Sequence, residues 1–140
     1  RLTQEVRARM AYRPGTTDVL TPAAAALAAG AGVCQDHAHV FITAARSSRI
    51  PARYVSGYLW TGKDEKLDVA AAHAWAEAYC PGLGWVGFDP ANGICPTEAY
   101  VRVAIGLDYW SAAPVRGIRR GAAMETLTVK VNVQQVAAGP

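Results

Sequence analysis

The sequence lacks the marks of several protein classes. No apolar run approaches the ~18 residues of a membrane-spanning helix. The longest apolar tract, Pro22 to Ala29, is mostly alanine. The three cysteines, at 34, 80 and 95, are odd in number and contain no C-x-x-C pair. That count does not suit a disulfide framework and points to a reduced, cytoplasmic setting. Charged residues make up only 18% of the chain and the formal net charge is +3. A solvated, disordered tail needs more charge than this. There is no dense Lys/Arg run and no interleaving of arginine with aromatics, so no nucleic-acid groove is expected. Arg46, Arg49 and Arg53, and the pair Arg119-Arg120, read as solvated surface. No acidic cluster has the spacing of a calcium loop, since the acids of "GKDEKLD" alternate with lysines. No signal peptide is visible. The chain opens on Arg1 rather than Met, which reads as a fragment of a longer protein.

What remains is 140 residues with 51% hydrophobic content, enough for one domain with its own core. Leu2, Val6 and Met10 recur four apart and predict a short amphipathic helix that "YRPGTTD" ends. Thr21 as N-cap, Pro22 at the first helical position and Gly30 as the stop predict a second helix. A third begins near Val33 or Cys34 and runs to about Ser47, with Ala38, Phe41, Ile42 and Ala45 on one stripe. The character then changes. "ARYVSGYLW", "HAWAEAY", "GWVGFD", "YVRVAIG" and "ETLTVKVNV" read as strands split by Pro and Gly. Helices first and strands after is the order of an α+β domain with an antiparallel sheet packed on a helix.

The stretch "AGVCQDHAHVF" poses the functional question. Thiolate is the reactive form of cysteine, and a helix N-terminus favours it through unpaired N–H groups and the helix dipole. Cys34 has that position, whereas Cys80 precedes a Pro-Gly turn and Cys95 precedes Pro96. A nucleophilic cysteine needs a base, and the base an orienting partner. His37, on the next turn, reaches Cys34 only marginally, and His39 points elsewhere. "HAWAEAYCPGLGWVGFDP" offers a better pair. It reads as a hairpin around Pro-Gly-Leu-Gly. If Tyr79 opposes Trp85, then Trp75 opposes Asp89 and His73 is diagonal to Asp89 on the same face, roughly 7–8 Å between backbones. An imidazole and a carboxylate facing the same way, with a helix-start cysteine upstream, form the Cys-His-Asp arrangement of acyl transfer.

Taken in order, "GVCQDHAH", "RIPARYVSGYLW", "AAHAWAEAYCPGLGWVGFDP" and "YVRVAIGLDYW" resemble the transglutaminase-like superfamily, specifically its bacterial transglutaminase-like cysteine proteases. The resemblance runs from about Leu2 to Val136. It implies a papain-like α+β fold with Cys34 as nucleophile, His73 as general base and Asp89 as orienting carboxylate. It also implies that the chain, as one catalytic core over residues 1–140, lacks a β-rich region that precedes this core in bacterial members.

Each residue also has a plainer reading. Cys34 could be an inert core cysteine. His37 and His39 could decorate the helix or make buried hydrogen bonds. Asp89 could be a turn residue before Pro90. Trp75 and Trp85, on the His73 face with Tyr79, could wall a substrate groove or simply pair across strands. Glu77 shares their face and could pair with an arginine or face solvent. Cys34, Asp36, His37 and His39 are too bunched on one helix to converge on zinc, so neither a metal nor a cofactor is expected. The expected activity is cysteine-dependent acyl transfer on a peptide or carboxamide substrate, with water favoured over an amine as acceptor. A transglutaminase proper and a non-catalytic peptide-binding module on the same fold are the alternatives.

Overall fold

The computed structural model describes residues 1–60, 71–114 and 117. The strand expected at "ETLTVKVNV" and the charged "GKDEKLD" loop lie outside these residues. The elements run α1 (Leu2–Arg9), β1 (Ala11–Tyr12), α2 (Ala23–Ala29), β2 (Ala31–Gly32), α3 (Cys34–Ser47), β3 (Ala52–Leu59), β4 (Ala71–Cys80), β5 (Gly84–Phe88) and β6 (Tyr100–Gly106). Strands β3 to β6 form one antiparallel sheet in the order β5-β4-β3-β6.

Helix α3 packs on β3 and β4, with α1 and α2 against its other sides. Its buried residues Ala38, Phe41, Ile42 and Ala45 meet Ala52, Tyr54, Ala74, Ala76 and Ala78 of the sheet. Alternate alanines on β4 keep that face flat and allow the helix a close approach. Phe41 stacks on Phe88, with ring centroids 5.2 Å apart, and so ties the helix to β5.

The start of α2 differs from expectation. Pro22 is the N-cap and the helix begins at Ala23, because the Thr21 hydroxyl is engaged with Asp18. The Pro22 carbonyl accepts the N–H groups of Ala25 and Ala26 instead. Gly30 ends α2 in the left-handed conformation, with φ of 64°, as a C-terminal glycine does. The two-residue strands β1 and β2 pair in parallel, Ala11 with Ala31 and Tyr12 with Gly32. This short ladder brings the end of α1 alongside the start of α3.

Candidate active site

Cys34 is the first residue of α3. The helix start is fixed from behind by Asp36, whose Oδ2 accepts the Val33 N–H at 2.8 Å and the Thr17 hydroxyl at 2.6 Å. An acid at this position complements the helix dipole and occupies one otherwise unpaired donor. A Cβ on Gly32 would come within 2.7 Å of the Asp36 side chain, so the turn into the helix requires glycine. Asp36 is thus a structural cap and not a partner for a catalytic base.

The hairpin has the register anticipated from its sequence. Tyr79 pairs with Trp85, and the ladder runs to Ala76 opposite Phe88. Asp89 follows the last paired residue, and its Oδ2 accepts a 2.7 Å hydrogen bond from His73 Nε2. The His73 side chain is 9% exposed and that of Asp89 is fully buried. The other imidazole nitrogen, Nδ1, is left for Cys34, whose thiol is a near neighbour that favours the charged form of His73.

These neighbours set the charge of His73. Burial pushes its pKa down, but the Asp89 hydrogen bond, the Cys34 hydrogen bond and both negative charges outweigh burial and raise it to about 9. Burial likewise works against a charged Asp89. The His73 hydrogen bond and charge, with further bonds from Tyr100 and the Asn92 backbone, hold it below the usual carboxylate range.

Sequence reasoning missed the residues that build this carboxylate site. The Tyr100 hydroxyl and Asn92 Nδ2 each donate to Asp89 Oδ2 at 2.7 Å. The backbone N–H groups of Ala91 and Asn92 donate to Oδ1 at 3.0 and 3.1 Å. The second pair is an Asx turn, and "DPAN" carried a legible signal for it. Helix α1 clamps the same loop from outside: Gln4 donates to the Gly93 carbonyl at 2.8 Å and Arg7 to the Asn92 carbonyl at 2.7 Å. Nothing local in the sequence announces those contacts.

The remaining candidates separate. Trp75 is buried and lies against His73, with ring centroids 6.3 Å apart, and edge-on to Tyr100 at 5.4 Å. It lines a cleft of about 270 Å³ with Tyr100, Glu77, Cys95 and Arg102. Trp85 is not brought to His73. It pairs edge-on with Tyr79 at 5.9 Å, and the Arg53 guanidinium sits 4.1 Å over its ring. Glu77 is buried and bridges Arg53 at 2.7 Å and Arg102 at 2.9 Å. His37 is buried with Nδ1 facing the Val33 carbonyl and Nε2 the Met10 carbonyl, and so ties α3 to the end of α1. His39 lies tilted against Tyr54, ring centroids 4.8 Å apart, and its Nε2 accepts the Tyr109 N–H at 3.2 Å, a role that suits its burial-lowered pKa. Among the described residues, no three His, Cys, Asp or Glu side chains are grouped to hold a metal ion. No described helix is long and apolar enough to cross a membrane.

Residues 1–90 match the sequence model of the transglutaminase-like superfamily. The chain belongs to this superfamily. Its α+β architecture, with a helix-start cysteine packed on an antiparallel sheet, is the papain-like fold of the transglutaminase core. An uncharacterised protein of Mycobacterium leprae is 40% identical over 134 residues, covering 94% of this chain and 47% of that protein. One from Mycobacterium tuberculosis is 40% identical over 115 residues, covering 76% and 37%. The chain therefore spans less than half the length of these relatives. Among solved structures, "a putative cysteine protease from Cytophaga hutchinsonii" superimposes with a TM-score of 0.68 at 36% identity, over 80% of this chain and 36% of that one. Legionella pneumophila LapG matches with a TM-score of 0.57 at 16% identity, over 75% and 63%, a likeness of fold alone.

Proposed function

We propose that this transglutaminase-like core is a cysteine-dependent acyl-transfer enzyme acting on peptide or carboxamide substrates, with water as acceptor. The observation that carries the reading is the buried 2.7 Å bond between His73 Nε2 and Asp89, which leaves Nδ1 for Cys34 at the start of α3. The Cytophaga structure, described as "a putative cysteine protease" and 36% identical, supports the same class.

In this mechanism His73 and Cys34 share one proton. An imidazolium beside the sulfur is the counter-charge of the thiolate. The sulfur attacks the carbonyl carbon, and the carbonyl electron pair moves to oxygen. His73 then gives its Nδ1 proton to the leaving amine as the thioester forms. Water attacks the thioester with His73 Nδ1 as base, and the acid leaves with Cys34 restored. Asp89 holds the ring so that Nδ1 faces the sulfur and stabilises its positive charge throughout. Trp75 restrains the imidazole on one side; the cleft it borders is lined by neither Cys34 nor His73 and is left out of the substrate path. Trp85, engaged by Arg53, is left out of the substrate site.

The test is to trap the acyl-enzyme. The protein is incubated with a glutamine-containing peptide mixture, with and without a primary amine, and products and adducts are read by mass spectrometry. A thioester on Cys34 that decays to acid, with little amide formed to the added amine, is the expected result. Amide as the main product makes the acceptor an amine. Absence of any adduct or product, when Cys34→Ala behaves as the parent, makes the fold a binding module.

A further inference from the structure

We infer that Arg7 on helix α1 is a positioning residue for Asp89, acting through Asn92. The inference rests on the acyl-transfer reading above and adds to it a residue from outside the triad.

The loop after β5 closes on itself. The Asp89 N–H donates to the Ile94 carbonyl at 2.8 Å, and the Asp89 carbonyl accepts the N–H groups of Gly93 at 2.7 Å and Ile94 at 3.2 Å. Asn92 sits at the tip and reaches the carboxylate twice. Its N–H donates to Oδ1 at 3.1 Å and its Nδ2 to Oδ2 at 2.7 Å. Nδ2 also donates to the Tyr100 hydroxyl at 3.2 Å, and that hydroxyl donates to the same Oδ2. Backbone and side chain of Asn92 meet Asp89 together only while the peptide planes of the tip keep their orientation. Something has to hold them.

Helix α1 does so. Gln4 and Arg7 lie three residues apart and so share one face of the helix. Gln4 Nε2 donates to the Gly93 carbonyl at 2.8 Å, and Arg7 Nη1 to the Asn92 carbonyl at 2.7 Å. The Arg7 bond is charge-assisted and therefore the stronger of the two. Gly93 has φ of 73°, and a Cβ there would collide with the Arg7 side chain, so the guanidinium lies directly on the tip. Among the described residues Arg7 makes no salt bridge, whereas Arg9 meets Glu5 at 3.9 Å. The helix itself is anchored. Val6 is buried in the core, and the Met10 carbonyl faces His37 Nε2 of α3 at 3.1 Å. One helix therefore braces both the Asp89 loop and the helix that carries Cys34.

This brace bears on the chemistry. The Asn92 N–H is among the bonds that hold the Asp89 carboxyl below the usual carboxylate range. Without Arg7 the tip can turn, and the donors of Asn92 leave the carboxylate. The negative charge beside His73 is then less firmly held, the imidazolium loses support, and the Cys34 thiolate loses its counter-charge at low pH.

The test is the pH dependence of Cys34 alkylation by iodoacetamide, with thermal stability measured alongside. Arg7→Ala should move the acid limb of the folded protein to higher pH, by about half a unit or more. Arg7→Lys keeps a charged donor and should restore the limb. Val6→Ala loosens the same helix from the core without touching the loop. It should lower the melting temperature and leave the limb in place. In an Asn92→Ala background, Arg7→Ala should shift the limb less than in the parent, because the side-chain donor it positions is already gone. A limb unmoved by Arg7→Ala would reduce Arg7 to a structural clamp. An equal shift in the Asn92→Ala background would show that Arg7 does not act through Asn92. A parent whose Cys34 is no more reactive than Cys80 and Cys95 at neutral pH would overturn the acyl-transfer reading, and the Arg7 role with it.

Discussion

Asp89 is fully buried and accepts hydrogen bonds from His73, Tyr100 and Asn92 side chains and from two backbone N–H groups. Each bond favours the charged carboxylate, and together they outweigh burial. Tyr100→Phe removes one charge-assisted bond, worth about 1.5–3 kcal/mol. The carboxyl pKa then rises, so the acid limb of the pH–rate profile should move to higher pH while the protein stays folded. An unmoved acid limb would mean that Asp89 does not set it. His73 makes a second prediction through linkage. Its folded pKa of about 9 lies above the ordinary 6.5, so its contribution to stability is fully present below 6.5 and is lost as pH rises through about 9. Thermal denaturation across that window should show the parent losing stability, and His73→Gln should lack that loss.

At the scale of elements, the helix and strand pattern was legible because periodicity is local. Helix α3 begins at Cys34 and ends at Ser47 as its apolar stripe and flanking residues indicate. The hairpin register followed from period-two arithmetic about a Pro-Gly-Leu-Gly turn, and it carried the His73–Asp89 pairing with it. Three features were not legible, and each depends on contacts distant in sequence. Tyr100 reaches Asp89 only because β6 lies beside β3. Gln4 and Arg7 hold the Asp89 loop from a helix more than eighty residues earlier. Tyr12 reaches His37, on the first turns of α3, only through the β1–β2 ladder. The shifted start of α2 has a different cause, since Thr21 met a competing acceptor in Asp18. Gly57 is a fourth case. It sits opposite His73, at a register irregularity between β3 and β6. A Cβ there would lie 2.0 Å from the Val101 carbonyl oxygen and 2.9 Å from the Trp75 ring. Gly57→Ala should therefore cost at least the ~1–3 kcal/mol of an overpacked site and should also slow turnover by shifting Trp75 against His73. Denaturant titration with rates per folded molecule separates the two effects. A variant as stable as the parent would contradict the packing described for β3 and β6.

For the molecule as a whole, the sheet and α3 form a frame that brings three separate segments to one point: a helix start, a strand and a post-strand loop. Helix α1 and the β1–β2 ladder brace that point from outside. The central claim is that Cys34, His73 and Asp89 act as one unit, and the pH dependence of thiol alkylation tests it most directly. Iodoacetamide labelling is followed residue by residue by mass spectrometry in the parent, His73→Ala and Asp89→Ala, at a temperature where all three are folded. In the parent, Cys34 should label far faster than Cys80 or Cys95 at neutral pH, because only Cys34 has an imidazolium beside its sulfur. His73→Ala should abolish that advantage and Asp89→Ala should reduce it. Equal rates at all three cysteines of the parent, or a Cys34 profile unchanged by either substitution, would contradict the account.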